Sequence, residues 1–303
     1  MKVGISITSS HRVDDPREGA RRMIDRARAA HQAGLDSLFV GDHHATPGPY
    51  YQNTAILGRL LAEWSSQPFG ALYLLPLWHP VLLAEQIGTL ASLGSGRFVM
   101  QCAIGPDDWQ FPALGIDVRH RPSRFEESLA LMKRLWDGET VSSNGRWQFR
   151  DARVSPTPTS PVEVWIGASA DAAIDRAARL GDGWIAPPGL PEAKAYARLQ
   201  VYLEACARHG TPGSIRAIRR DIYVGESAAE ATRSAEPVIS AGYRGFPPGA
   251  AVVGSVEQVA AAFARLAEAG YTDVIVRNLI QDPDLAVAST ERLARVRELV
   301  REL

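Results

Sequence analysis

The chain has 303 residues, a formal net charge of -1 and an ordinary apolar content, enough to bury one large core or two smaller ones. Acidic and basic residues are interspersed, which excludes a field strong enough to gather nucleic acid or an anionic membrane surface and points to a small-molecule partner. Two distant cysteines, Cys102 and Cys206, no leader-like start and no apolar run of about 18 residues predict a reduced, soluble, cytoplasmic protein.

Along the chain, short β-branched or apolar runs alternate with helical stretches of period 3.6, the pattern of βα units that feed a parallel sheet. The predicted strands are residues 3–8, 37–41, 70–75, 98–103, 162–167, 183–186, 218–225 and 273–278. That number fits a closed barrel, so the expected fold is α/β, a single (β/α)8 TIM-barrel domain over residues 1–303. A helix after the first strand sets Met23, Ile24, Ala27 and Ala30 on one stripe and stops at Gly34. A later one does the same with Val256, Val259, Ala260, Phe263 and Leu266. Ser123 with Glu126, and Ser255 with Gln258, read as capping boxes.

Two stretches break the rhythm. Residues 138–161 hold Asn144-Gly145 and then Pro156, Pro158 and Pro161, which reads as a hairpin and an extended connector inserted after strand four. Residues 243–254 are rich in Gly and Pro, form an insertion between strands seven and eight, and are too long for a simple connector; they read as a lid.

Barrel active sites are built from the loops that follow the strands. His11 follows strand one, Asp42, His43 and His44 strand two, Trp78 and His79 strand three, and His120 lies in the long loop after strand four. A single loop histidine is ordinarily a solvated or structural side chain, but five on one face suggest a site. In Asp42-His43-His44 a carboxylate stands beside an imidazole whose tautomer it can fix for proton transfer, although an Asp there also suits a loop turn. His79 precedes Pro80 and serves equally as a helix-cap partner or a ligand. Gly167-Ala168-Ser169 runs from a strand into a helix, where backbone amides and the helix dipole favour a phosphate, and where Ser169 equally suits a plain N-cap. The turn Ala103-Ile104-Gly105 is small enough for a flat ring to lie against the strand ends.

Cys102 sits in an apolar run as a small buried hydrophobe, and no Ser lies in a nucleophile elbow. There is no phosphate-binding loop of the Walker type, no G-x-G-x-x-G after the first strand and no C-x-x-C, which disfavours nucleotide hydrolysis, a Rossmann site and a zinc ribbon. A metal-dependent barrel hydrolase would need histidine ligands on the later strands, which have none, so no metal ligand is assigned.

The order of the pieces resembles the bacterial luciferase-like flavin-dependent monooxygenases and reductases over essentially the whole chain. The carriers are Gly41-Asp42-His43-His44, His79-Pro80-Val81 through Ala84-Glu85, Gly94-Ser95-Gly96-Arg97-Phe98, Phe111-Pro112-Ala113-Leu114-Gly115-Ile116, and Arg121 with Arg124-Phe125-Glu126-Glu127-Ser128-Leu129. They continue with Trp165-Ile166-Gly167, the run from Arg176 to Trp184, and Gly254-Ser255-Val256-Glu257-Gln258-Val259. The resemblance implies a flavin or deazaflavin ring over the barrel mouth near His43, Trp78, His79 and Ala103-Ile104-Gly105, with its phosphate at Gly167-Ala168-Ser169. It also implies His43 and Asp42 as the catalytic pair, Asp42 orienting the imidazole. Ala168 stands where the family commonly has a second Gly, the one hint of a non-catalytic flavin-binding relative.

The family divides between reduced FMN with oxygen and the deazaflavin F420. Asp42-His43 and the Arg-rich, Lys-poor composition lean to F420. An aromatic rim of Tyr50, Tyr51, Trp78, Trp109 and Phe246 suggests a small, largely apolar organic substrate. Further expected partners are a separate flavin or F420 reductase and other copies of the chain in a homo-oligomer.

Overall fold

In the computed structural model, which describes residues 1–64, 67–106 and 108–302, strands and helices alternate along the chain. The strands are β1 (Lys2–Ile7), β2 (Ser37–Val40), β3 (Phe69–Leu74), β4 (Phe98–Ala103), β5 (Val141–Asn144), β6 (Gln148–Ala152), β7 (Glu163–Gly167), β8 (Gly183–Ala186), β9 (Ile215–Val224), β10 (Val252–Gly254) and β11 (Asp273–Asn278). The helices are α1 (Pro16–Gln32), α2 (Asn53–Leu60), α3 (Pro80–Leu93), α4 (Gln110–Ala113), α5 (Arg121–Trp136), α6 (Asp171–Leu180), α7 (Glu192–His209), α8 (Ala228–Ser240), α9 (Val256–Glu268) and α10 (Pro283–Glu302).

Parallel strands in the order β9-β11-β1-β2-β3-β4-β7-β8 close into a barrel through a β8–β9 pairing, which gives the expected (β/α)8 architecture. The eight predicted strands are all present. The largest boundary shift is in β9, which starts at Ile215, and its ten residues have a reason: its first part pairs with β8 from Gly183↔Ile215 to Ala186↔Ile218 and its end with β10 from Val252↔Ile222 to Gly254↔Val224.

Phe39, Val99, Trp165, Ile185, Ala217 and Ile275, one from each of β2, β4, β7, β8, β9 and β11, form a buried cluster of their own. This is the packed plug of the barrel, and it separates the mouth from the opposite end. Gly70 stands in register with Phe39, and a Cβ there would lie 1.8 Å from the Val99 carbonyl oxygen, so only glycine admits this packing. Side chains alternate along a strand, so two positions beyond the plug Gly41, Gln101, Gly167, Arg219 and Arg277 turn inward at the carboxyl ends. The larger core lies between the strands and the helices, where Met23, Ala27 and Ala30 of α1 and Val259, Phe263 and Leu266 of α9 are buried.

Local signals hold in part. Ser255 and Gln258 form the reciprocal capping box at the start of α9, with Ser255 N donating to Gln258 Oε1 at 3.0 Å. Ser123 does not cap: α5 begins two residues earlier, because Pro122 suits the first turn, and Ser123 Oγ donates instead to the His120 carbonyl at 3.1 Å. Glu126 reaches out to Arg176 and Arg179 of α6 at 2.8 and 2.9 Å.

Residues 141–152 form an antiparallel hairpin outside the barrel. Glu127 of α5 holds it by accepting from Arg146 N and Trp147 N at 2.8 and 3.1 Å, and Trp147 Nε1 donates to Ser128 Oγ at 2.8 Å. Between β9 and β11 the chain runs through α8, a short turn at Tyr243–Gly245, β10 and α9. The turn is fastened to the barrel, since Tyr243 Oη donates to Asp221 Oδ2 of β9 at 2.8 Å. Among the described residues no helix is long and apolar enough to cross a membrane.

Candidate active site

A cavity of about 380 Å³ opens at the carboxyl ends of the strands, a size suited to a small-molecule site. The loops after β1 and β2 form one wall and Arg219, Arg244 and Arg277 form another; Trp109 from the loop after β4 stands at the edge.

Asp42 and His43 both line this cavity, but the expected pairing between their side chains is not the one formed. The Asp42 carboxylate is 1% exposed and turns to the neighbouring strand end, where Oδ2 accepts from Leu74 N at 2.7 Å and Trp78 Nε1 at 2.9 Å. Its Oδ1 accepts from Asn53 Nδ2 at 3.3 Å and lies 3.1 Å from His44 Nε2. His43 is held differently: its Nδ1 hydrogen-bonds the backbone carbonyl of Asp42. A carbonyl only accepts, so Nδ1 is the donor of this bond, which leaves Nε2 free. The ring stacks on Tyr50, centroids 5.4 Å apart at 18°, and meets Trp109 edge-on at 6.5 Å. Gly41 permits this arrangement, since a Cβ there would lie 2.5 Å from Tyr50 Oη. Burial, and then the Asp42 charge, push the Tyr50 phenol up to about 12, so it stays a neutral wall at ordinary pH.

The other predicted positions fall elsewhere on the mouth. Ala103 and Gly167 end the paired strands β4 and β7 and stand side by side, a Cβ on Gly167 lying 3.6 Å from that of Ala103. Together with Ile104 and Gly105, which has φ +78°, they make a shelf of small groups across the mouth from β11. Arg121 Nη1 donates to the Gly105 carbonyl at 3.0 Å and fixes the turn. Ala168 is spoken for by the fold: its amide donates to the Ile185 carbonyl at 3.4 Å and its carbonyl accepts from Trp184 Nε1 at 2.9 Å. Ser169 is exposed and is not the N-cap of α6, a position taken by Ala170 with no side-chain bond. At the start of α6 the Ala173 and Ile174 amides both donate to the Ala170 carbonyl at 2.9 Å.

Trp78 joins the site through Asp42, whereas His79 packs edge-on against Trp147 at 5.2 Å and tilted against Phe149 at 5.7 Å, under the hairpin rather than over the cavity. Of the five aromatic rim residues, Tyr50 and Trp109 line the cavity. Tyr51 packs beside His11, and Phe246 lies against Tyr243 and Gly189.

The histidine cluster likewise separates. His120 is exposed near Asp117, and among the described residues no group of three His, Cys, Asp or Glu side chains is arranged to hold a metal ion. His11 is buried, with Nε2 donating to the Thr8 carbonyl at 2.9 Å. Burial first, and then Arg26, lower its pKa from 6.5 to about 4. The unfolded chain therefore takes up a proton between those values that the folded chain refuses. The stability held by neutral His11 is complete above about pH 6.5 and is lost as pH falls through about 4. We expect denaturant titrations to show a loss of about 3 kcal/mol over that window, and His11→Gln to abolish that share of the slope. An unchanged slope in the variant would refute the assignment.

Missed by sequence reasoning were the arginines: Arg219, midway along the long strand β9, and Arg277, one residue from the end of β11, both lining the cavity together with Arg244. The available signal was phase. Each lies two residues beyond an inward apolar residue, Ala217 or Ile275, and a charge in that phase at a strand's carboxyl end faces the site.

A family model described as luciferase-like monooxygenase matches residues 1–250. The chain belongs to this family. The F420-dependent glucose-6-phosphate dehydrogenase of Beutenbergia cavernae is 35% identical over 170 residues, which is 53% of this chain and 50% of that one. The chain thus spans about half the length of the curated relatives it matches. Two solved luciferase-like structures share the fold. The FMN-bound oxygenating component of 3,6-diketocamphane monooxygenase from Pseudomonas putida superposes with a TM-score of 0.83 at 19% identity, covering 99% of this chain and 98% of that one. An F420-dependent secondary alcohol dehydrogenase with an F420-acetone adduct superposes with a TM-score of 0.80 at 18% identity, covering 99% of each. One of these two structures holds an F420 adduct and the other FMN.

Proposed function

We propose that this chain is an oxidoreductase that reduces or oxidises a small organic substrate by hydride transfer with F420, with His43 handling the proton. The observation that carries the reading is the His43 ring in the cavity wall with its Nδ1 bonded to the Asp42 carbonyl, which leaves Nε2 free to exchange a proton. When bound, the cofactor supplies the hydride, or in the FMN reading the means of activating oxygen.

The chain does the rest. Ala103, Ile104, Gly105 and Gly167 leave room for a flat ring, and Ser169 with the α6 amides offers donors to its phosphate. Trp78, fixed by Asp42, closes the mouth between β2 and β3. His43 Nε2 takes a proton from a substrate hydroxyl as hydride leaves, or returns it in the reverse direction. Asp42 is a positioning residue: its backbone carbonyl sets His43 and its carboxylate sets Trp78. Reduced cofactor would come from a separate flavin or F420 reductase.

The Beutenbergia cavernae relative, named as F420-dependent, favours F420 over FMN. Titrating the protein with F420 and with FMN while following tryptophan and cofactor fluorescence is the test. F420 should bind at micromolar concentration and more tightly than FMN. Tighter binding of FMN would replace hydride transfer by the oxygen-dependent reading, and binding of neither would refute both.

A further inference from the structure

One wall of the cavity is strongly basic. Four arginines, Arg12, Arg219, Arg244 and Arg277, line the cavity, against a single carboxylate among its described lining residues, Asp42. That carboxylate is already engaged by Leu74 N, Trp78 Nε1 and Asn53 Nδ2 on the other side.

The nearest internal counter-charge is Asp221, in register with Arg277 on β11 and fully buried. It lies 3.5 Å from Arg219 Nε and 3.4 Å from Arg244 Nη1, and it also accepts from Tyr243 Oη. One carboxylate faces three guanidinium groups here, and its Oδ1, like Arg219 Nε 3.5 Å away, makes no hydrogen bond. Arg219 Nε and Nη2 are buried with no hydrogen-bond partner, and Arg277 offers only Nε to Thr8 Oγ1, at a long 3.3 Å. Buried guanidinium donors left without acceptors are costly, and an oxyanion that fills the fork relieves that cost.

We propose that Arg219 and Arg277, with Arg244 closing from the Tyr243–Gly245 turn, form a subsite for a carboxylate or phosphate carried by the substrate, which adds an anionic group to the largely apolar molecule expected. The inference rests on the oxidoreductase reading for the word substrate; the anion site itself does not. The position speaks for the substrate rather than the cofactor's own phosphate. Arg277 on β11 stands four strands from β4 in either direction round the barrel, and the amides and Ser169 at the start of α6 already offer a separate anion cradle. Arg244 holds a left-handed backbone at φ 50°, unusual for a residue other than glycine, and stacks its guanidinium over Phe246 at 5.3 Å. Its strained placement toward the cavity is what a closing contact on a ligand requires.

The test titrates the cofactor-free protein with inorganic phosphate and with acetate at constant ionic strength, following Trp109 emission and heat, and repeats both with saturating F420 or FMN. Saturable binding of one anion, undiminished by cofactor, is expected. Arg277→Gln should weaken it by at least about tenfold and Arg277→Lys by less, with cofactor affinity unchanged. Arg219→Gln should act in the same direction, and the half-buried Arg277 keeps the test decisive should that variant fold poorly. No saturation by either anion, equal binding in Arg277→Gln, or competition with the cofactor would overturn the proposal. Anion binding in a protein that takes neither F420 nor FMN would overturn the oxidoreductase reading and leave the anion site standing.

Discussion

Replacing His43 with alanine should lower turnover by about 10²- to 10⁴-fold while cofactor affinity changes by less than about threefold. The imidazole is held by a backbone carbonyl and a Tyr50 stack, so its removal disturbs only its immediate neighbours. The shelf at Ala103, Gly105 and Gly167 does not depend on it. A group that acts in the transition state lowers kcat and kcat/KM together, whereas a group that only builds the pocket raises KM and the cofactor dissociation constant. The predicted loss corresponds to about 3–5 kcal/mol of barrier. His43→Gln keeps a polar side chain of similar reach but cannot accept and carry the proton, so it should fall with alanine. Equal loss of affinity and turnover in His43→Ala, or near-normal turnover in His43→Gln, would remove His43 from the chemistry.

The barrel was legible because its strands are buried on both faces and therefore read as short unbroken apolar runs, while the helices between them keep a 3.6-residue stripe. The hairpin was legible from Asn144-Gly145 and the proline cluster that follows it. Side-chain direction at the site was not. Whether Asp42 faces His43 or His44 depends on Leu74 N and Trp78 Nε1, donors more than thirty residues away that capture the carboxylate. Likewise His79 looks like a mouth residue by its place after β3, yet Trp147 and Phe149 of the inserted hairpin claim its ring. The arginines were overlooked for a related reason. A charge within an apolar run reads as a weak spot in the strand unless its phase is followed from Ala217 and Ile275, which turns Arg219 and Arg277 into the same cavity as His43.

Asp42→Ala should destabilise the fold by about 3–5 kcal/mol, the largest stability effect expected of any single polar change at the mouth. The carboxylate ties the end of β2 to the end of β3 and to α2, since its partners are Leu74 N, Trp78 Nε1 and Asn53 Nδ2. Alanine leaves Leu74 N and Trp78 Nε1 without their acceptor, at about 1–3 kcal/mol each before water or a shift of Trp78 relieves part of it, while Asn53 Nδ2 keeps its bond to the Leu72 carbonyl at 2.8 Å. Asp42→Asn keeps one acceptor oxygen and turns the other into a donor facing a donor, so it should cost about half as much. Urea denaturation at neutral pH reads both values, and a loss below about 1 kcal/mol in Asp42→Ala would contradict the bonding described. The same pair of variants separates positioning from direct catalysis. Because the His43 ring hangs on the backbone carbonyl of Asp42, Asp42→Asn should retain far more turnover than His43→Ala when both are assayed well below their melting temperatures. If Asp42→Asn stayed stable and still lost as much turnover as His43→Ala, the carboxylate would be acting on the imidazole directly during the reaction, and the arrangement of Asp42 with His44 and Trp78 would be only its resting state.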